Sequence, residues 1–474
     1  MTDLVKADIC VVGAGSAGLT VAAGASQFGA ATVLIEGRRM GGDCLNYGCV
    51  PSKALLAAGH AARAAGGGAP FGIADGAAEV DFRRVHDHVH AVIDAIAPQD
   101  SVERFEGLGV RVIQAEARFI GPRELIAGDG RVRARRFVVA TGSAPAVPPI
   151  PGLDRMPYYT NETIFDLTER PDHLVVIGGG PIGCELAQAH RRLGARVSIL
   201  EADRILPKDD PELVELLRQR LRADGIALYE QTKVVGVEGS AGAITARIER
   251  NGTTETVQGT VLLVATGRKP TVKGLDLEAA GVAYTDRGIA VDRRLRTSNR
   301  RIFAIGDVTG GFQFTHMAGY DAGIVIRNAL FRLPAKVDHR AVPWVTYTDP
   351  ELAHVGMTER QAREAGREIR ILRWPFAEND RAQAERTTDG LIKVVTTPRG
   401  RILGASILGA HAGELIHVWV LAIGQNLKIG AIANMIAPYP TLGEVSKRAA
   451  GSFYTPTLFS ERTRRLVRFL RLFG

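Results

Sequence analysis

One pattern, met twice in 474 residues, restricts the fold more than anything else in the chain. ADICVVGAGSAGLTVAAGASQFGAATVLIE reads as an apolar strand, a glycine turn, a helix and a second strand, and HLVVIGGGPIGCELAQAHRRLGARVSILE repeats it. Gly13, Gly15 and Gly18 fill G-x-G-x-x-G in the first copy; Gly178, Gly180 and Gly183 fill it in the second. An acid ends each second strand, Glu36 and Glu201, each 23 residues after the first glycine of its copy. Glycines let the backbone close on a pyrophosphate at a helix N-terminus, and the acid accepts from a ribose hydroxyl. The motif alone says little, but strand, helix and acid in register make each copy a dinucleotide cradle. Two cradles predict two Rossmann-like units and two dinucleotides. Gly13, Gly15, Ser16, Ala17, Gly18 and Glu36 are the candidate contacts of the first, and Gly178, Gly180, Gly183 and Glu201 those of the second. A carboxylate at Glu201 repels a 2′-phosphate, which favours NAD(H) over NADP(H), although nearby Arg204 would soften that preference.

The length suggests about three domains at ~150 residues each. The 54 glycines exceed an ordinary share, and many sit in recognisable turns rather than in a low-complexity tract. No run of ~18 apolar residues suggests a membrane span. The opening MTDLVKADICVVGAG is expected to enter a strand directly, without a secretory leader, so a cytoplasmic protein is expected. The net charge of +8 comes mostly from arginines spread along the chain, which reads as solvated surface with no nucleic-acid partner.

Each cradle has a distal companion. FVVATGSAP (137–145) and VLLVATGRKP (261–270) are apolar strands ending in Ala-Thr-Gly, which marks Thr141, Gly142 and Gly267. RIFAIGDVTG (301–310) is a further strand, delivering Asp307 after Gly306. Between the cradles, GGDCLNYGCVPSK (41–53) holds Cys44 and Cys49, two of only four cysteines. Such a pair has three readings: a structural disulfide, half a metal site, or a redox pair.

With these motifs in this order, residues 6–455 closely resemble the class I pyridine nucleotide–disulfide oxidoreductases, which include dihydrolipoamide dehydrogenase, glutathione reductase and mercuric reductase. Seven elements carry the resemblance: two cradles, the Cys-x4-Cys segment, two Ala-Thr-Gly strands, the Gly-Asp strand and PTLGE. It implies an α/β fold with an FAD-binding and an NAD(P)-binding domain and a C-terminal α+β dimerisation domain. The expected segments are 1–148 and 273–340 for FAD, 149–272 for NAD(P), 341–455 for dimerisation and 456–474 as a basic tail. A homodimer is implied, with active sites drawing on both subunits. Gly42, Lys53 and Asp307 would help hold FAD, Asp307 on the ribityl chain, and Lys53 would pair with Glu185 near the flavin N5.

The resemblance also bears on the cysteines. A static disulfide adds little to a chain with a sufficient core, and a metal site wants further ligands that this segment lacks. Cys49 precedes an expected helix start with Pro51 in its first turn and Lys53 nearby, and both effects favour a thiolate. By the resemblance, a Cys44–Cys49 disulfide opens and closes, Cys49 lies against the flavin as a charge-transfer thiolate, and Cys44 meets the substrate. Electrons would run between NAD(H) and a sulfur-containing or thiol-reactive substrate, in either direction. Cys10 and Cys184 read as buried packing.

Two departures stand out. Thiol–disulfide members carry His-Pro-Thr-x-x-Glu near the C-terminus, where this chain reads YPTLGE, with Tyr439 for histidine and Glu444 retained. A phenol with pKa near ~10 is a poor base where imidazole near ~6.5 is a good one, so weak lipoamide turnover and none with glutathione are expected. Mercuric reductases share the tyrosine but need a C-terminal cysteine pair, and no cysteine follows Cys184. The second departure is TRRLVRFLRLFG, in which Arg464, Arg465, Arg468 and Arg471 would lie opposite Leu466, Phe469, Leu470 and Phe473 on a helix. Such an end either packs on its own dimer or contacts a partner or the inner face of a membrane. His316 and His411 read as structural, and His86 with His90 as a solvated helix face rather than a metal site. The favoured function is therefore an FAD-dependent NAD(P)H oxidoreductase with a redox-active disulfide. The alternatives are a membrane- or partner-attached redox adaptor with slow turnover, a quinone or metal-ion reductase, and a flavin transhydrogenase.

Overall fold

The computed structural model describes residues 4–74, 76 and 79–473, so the first expected segment begins, and the tail ends, outside the described residues. The chain forms two compact units, Met1–Ala202 with Ala227–Val337, and Asp203–Ile226 with Asp338–Gly474.

In the first unit the apolar run LVKADICVV forms Leu4–Val12, the middle of a seven-stranded sheet. It pairs in parallel with Thr32–Glu36 on one side and Gly130–Val139 on the other. Val110–Gln114 extends the sheet past Thr32–Glu36, and Ile302–Ala304 joins Gly130–Val139, both in parallel. The buried stretches of these strands are continuous apolar runs, ICVV in Leu4–Val12, TVLI in Thr32–Glu36 and FVV at the end of Gly130–Val139, whose first half alternates instead. The helix Ser16–Gln27 follows Leu4–Val12 so closely that a Cβ on Gly18 would lie 1.8 Å from the Gly13 carbonyl oxygen. The strand ends, the glycine turn and the Gly-Asp strand thus meet at one edge of the sheet, where ligands of open α/β sheets bind.

A second parallel sheet holds the second cradle, with Arg196–Leu200, His173–Ile177 and Val261–Val264 side by side. Its helix, Pro181–Arg192, starts with proline, which suits a first-turn position that needs no amide donor. An antiparallel meander, Lys233–Ser240, Ala243–Arg250 and Thr253–Gly259, follows in sequence.

The second unit is built on a five-stranded antiparallel sheet in the order Pro343–Thr346, Glu351–Gly356, Ile402–Gly409, Leu391–Thr396, Arg370–Pro375. The helices His417–Gly424 and Glu444–Ser452 contribute to its core, where Trp419 donates its indole N–H to Ser446 Oγ at 3.0 Å. Residues 203–226, expected in the nucleotide segment, group with this unit. The reason is an ion cluster: buried Lys393 contacts Asp210 and Glu212 at 2.9 Å and Glu359 at 2.8 Å, while Trp344 Nε1 donates to Asp209 at 2.8 Å. No helix among the described residues is long and apolar enough to cross a membrane.

Candidate active site

The cysteine segment folds as two helices rather than a loop, Gly42–Asn46 and Cys49–Ala65. The second starts at Cys49 itself, earlier than its Pro-Ser-Lys suggests, because Gly48 serves as its N-cap. Cys49 therefore occupies the first position of a helix with no side-chain cap, where the macrodipole favours an anion. Its sulfur lies 3.3 Å from the hydroxyl of Thr315, which is the first residue of a second uncapped helix, Thr315–Ala329.

All four cysteines are free thiols; Cys10 and Cys184 are buried, Cys44 half-buried and Cys49 exposed. A hydrogen bond from Cys44, with help from Thr315 and the nearby Lys53 charge, pulls Cys49 down to about 6 against the pull of burial. The same bond, with burial, pushes Cys44 well above the ordinary thiol range. The pair is thus a thiolate held by a thiol. Cys184 Sγ contacts the Gly179 carbonyl at 3.4 Å, which suits its packing role.

This segment sits on the first cradle. Gly41 N–H donates to the Ala14 carbonyl at 3.0 Å, and a Cβ on Gly42 would reach 2.6 Å from Gly15 Cα. The two cradles share a division of labour among their glycines. A Cβ on Gly13 or Gly178 would lie 2.4 Å from a carbonyl oxygen of the neighbouring Ala-Thr-Gly segment, and one on Gly18 or Gly183 would strike the turn itself. The middle glycines differ: Gly180 has nothing within 4 Å, and Gly15 only Gly42 Cα at 3.9 Å. Both cradle helices start without a side-chain cap, leaving their first amides for an anion. Glu36 Oε2 accepts from Ala14 N–H, and Glu201 Oε2 from Gly179 N–H, both at 2.6 Å, so each acid hangs at the mouth of its turn. Thr141 Oγ1 bonds the Thr271 carbonyl at 2.7 Å, while Gly142 and Gly267, both at positive φ, face open space. These features fit a dinucleotide in each cradle.

Asp307 follows Gly306 in a short turn and accepts from Ser143 Oγ at 2.6 Å; burial pushes its carboxyl up. Arg268 donates to Ser143 Oγ at 2.7 Å and pairs with Asp43 at 2.9 Å. Asn161 Nδ2 also donates to Asp43, at 3.1 Å. One guanidinium therefore ties the residue before Cys44 to both Ala-Thr-Gly strands and to Asp307. Arg268, Asp43, Ser143 and Thr315 were missed from sequence; only Asp43, beside Cys44, carried a local signal.

Lys53 and Glu185 meet at 2.6 Å, with Glu185 nearly buried. Tyr439 and Glu444 belong to the second unit, Glu444 starting the helix Glu444–Ser452. Tyr439 is 70% exposed and donates its hydroxyl to Asp380 Oδ2 at 3.1 Å, a contact that pushes the phenol above its ordinary range. The rings of His86 and His90 meet at a tilt of 32° with centroids 4.1 Å apart, and no group of three side chains able to hold a metal occurs among the described residues.

Comparison with known proteins agrees with this geometry. Residues 7–322 match the pyridine nucleotide-disulphide oxidoreductase model, and residues 342–450 match the dimerisation domain of the same proteins. The chain is 35% identical to a mercuric reductase of Bacillus cereus over 449 residues, covering 94% of this chain and 71% of that protein. It is also 35% identical to a dihydrolipoyl dehydrogenase of Bacillus subtilis over 455 residues, covering 94% and 96%. A solved structure of the HOCl-induced flavoprotein disulfide reductase RclA from Escherichia coli, as a Cu(II) complex, superposes with TM-score 0.84 at 30% identity, covering 93% of this chain and 98% of that one.

Proposed function

Because the chain belongs to the pyridine nucleotide-disulphide oxidoreductases, as an FAD- and NAD(P)H-dependent flavoprotein disulfide reductase with a dimerisation domain, we propose that it is an NADH-dependent reductase of small thiol-reactive acceptors. The electrons leave through Cys44 and Cys49. FAD supplies the two-electron relay between nicotinamide and sulfur when bound in the first cradle. Gly13, Gly15, Gly18, Glu36, Gly42 and Asp307 would hold it there, and the Lys53–Glu185 pair fixes the adjoining helices. Ser16, Ala17, Thr141, Gly142 and Gly306 would line the same site. Glu201 sits where a 2′-phosphate would meet a carboxylate, which supports NADH over NADPH.

The observation that carries the choice of acceptor is Tyr439. Position 439 serves the dithiol across the proposed homodimer, and there the phenol is held protonated by Asp380. It can donate a hydrogen bond but cannot take a proton from a substrate dithiol near neutral pH. An electrophile that reacts directly with a thiolate, such as a sulfenyl compound or a thiol-bound metal ion, has no need of that base. Cys44 attacks such an electrophile as its proton passes along the shared hydrogen bond to Cys49, and Cys49, giving that proton to water, then closes the Cys44–Cys49 disulfide and releases the reduced acceptor.

Stopped-flow reduction by NADH tests this. A long-wavelength thiolate–flavin absorbance is expected in the wild type. It should be lost in Cys49→Ser while flavin bleaching persists. An acceptor screen should show NADH-dependent turnover with such electrophiles far above that with lipoamide, and none in Cys44→Ser. Wild-type turnover by both serine variants would remove the dithiol from the reaction.

A further inference from the structure

The helix Glu461–Leu470 and the turn after it lie beyond the matched dimerisation domain, and none of the helix residues is buried. Leu466, Phe469, Leu470 and Phe473 are each between 54% and 74% exposed, and the rings of Phe469 and Phe473 meet edge-on at 5.1 Å. At about 100° per residue these four fall within a strip of about 100°; Arg464, Arg468 and Arg471 lie on the opposite side, Arg465 flanks the strip, and Arg462 stands at its N-terminal end. The only acid here, Glu461, contacts Arg468 at 2.6 Å and Arg465 at 3.6 Å. Arg464 and Arg471 make no ion pair among the described residues.

We infer that this segment lies on an anionic lipid surface. Its leucines and phenylalanines enter the boundary between headgroups and acyl chains, and its arginines meet lipid phosphates and carboxylates at the rim. Exposed apolar area this concentrated calls for a cover. The charges say which cover: a second copy of the strip would bring another five arginines and a single glutamate against the first, too few acids to answer them. A negatively charged bilayer answers both faces of the helix at once. The interaction is peripheral, because ten helical residues are too few to span a bilayer.

The test is co-sedimentation of the full-length holoenzyme with vesicles of phosphatidylcholine alone or mixed with phosphatidylserine. Binding to the mixed vesicles is expected to exceed that to neutral ones by about tenfold or more and to fall as salt is raised. A triple variant, Arg464→Glu, Arg465→Glu and Arg468→Glu, should lose that binding while keeping NADH-dependent turnover of a soluble acceptor. A chain truncated after Phe459 should behave likewise. Equal pelleting of truncated and full-length protein overturns the proposal, as does equal binding to both kinds of vesicle. It is equally overturned if the full-length protein stays in the supernatant while truncation converts a dimer to a monomer, since the strip then belongs to the dimer interface.

Discussion

The thiolate at Cys49 rests in part on a single hydroxyl, and removing that hydroxyl gives a quantitative test. Thr315→Val deletes the group 3.3 Å from the sulfur while keeping shape and helix propensity. A hydrogen bond to a charged group is worth about 1.5–3 kcal/mol, and a soft sulfur acceptor at an exposed site places this one at the bottom of that range. At 1.36 kcal/mol per pH unit, the Cys49 midpoint should rise from about 6 to about 7. The thiolate fraction at neutral pH then falls from about nine-tenths to about half, and near pH 5 it falls about tenfold.

Iodoacetamide alkylation of the reduced enzyme from about pH 5 to about pH 8 reads the midpoint directly, with Cys49→Ser as the blank. The rates should cross. The variant should be slower in acid, yet its plateau at high pH should stand about threefold higher, because a more basic thiolate is the better nucleophile. A midpoint within about 0.3 of the wild type, with unchanged plateaus, would show that helix position and Cys44 suffice and that Thr315 is a bystander.

Three other substitutions probe separate parts of the argument. Asp43→Asn removes a carboxylate whose field raises both thiols, so the same alkylation assay should give a Cys49 midpoint below that of the wild type. Tyr439→His supplies a base where the phenol cannot act, and dihydrolipoamide-dependent NAD+ reduction should rise by about tenfold or more at neutral pH; no gain would mean the acceptor is restricted elsewhere. Burial pushes Asp209 up to about 6, so its folded form prefers to be protonated and the wild type loses stability as pH rises from about 4 to about 6. Asp209→Asn keeps an acceptor for Trp344 without the charge, and should be more stable above that range by on the order of 2 kcal/mol and equal below it, as read by unfolding at the two pH values.

What was legible in the chain was whatever is contiguous along it. Each cradle packs its glycines, helix and acid into some 24 residues, so the steric requirement and the residues that meet it appear together. The same holds for Cys44 and Cys49, whose spacing and flanking glycines are local. Thr315 was invisible because it reaches Cys49 across 266 positions, brought there only when the Gly-Asp strand and the helix after it close on the sheet edge. Arg268 was hidden for the same reason: its place after the second Ala-Thr-Gly says nothing of Asp43 or Ser143. Residues 203–226 join the second unit through the salt links of Asp210 and Glu212 to Lys393, which lies about 180 positions away.

The two cysteines are chemically identical side chains made unequal. Both thiols are flanked by glycine-rich backbone and share one hydrogen bond, so nothing in their own spacing decides which one ionises. The asymmetry comes from outside the motif. Cys49 stands at the start of the helix Cys49–Ala65 with the Lys53 charge beside it, whereas Asp43 raises both thiols and Thr315 lowers both. The proton therefore stays on Cys44 and the charge on Cys49, an order set before any substrate arrives. A segment with the same two cysteines transplanted without Lys53 and the helix start at Cys49 would keep the spacing and lose that order.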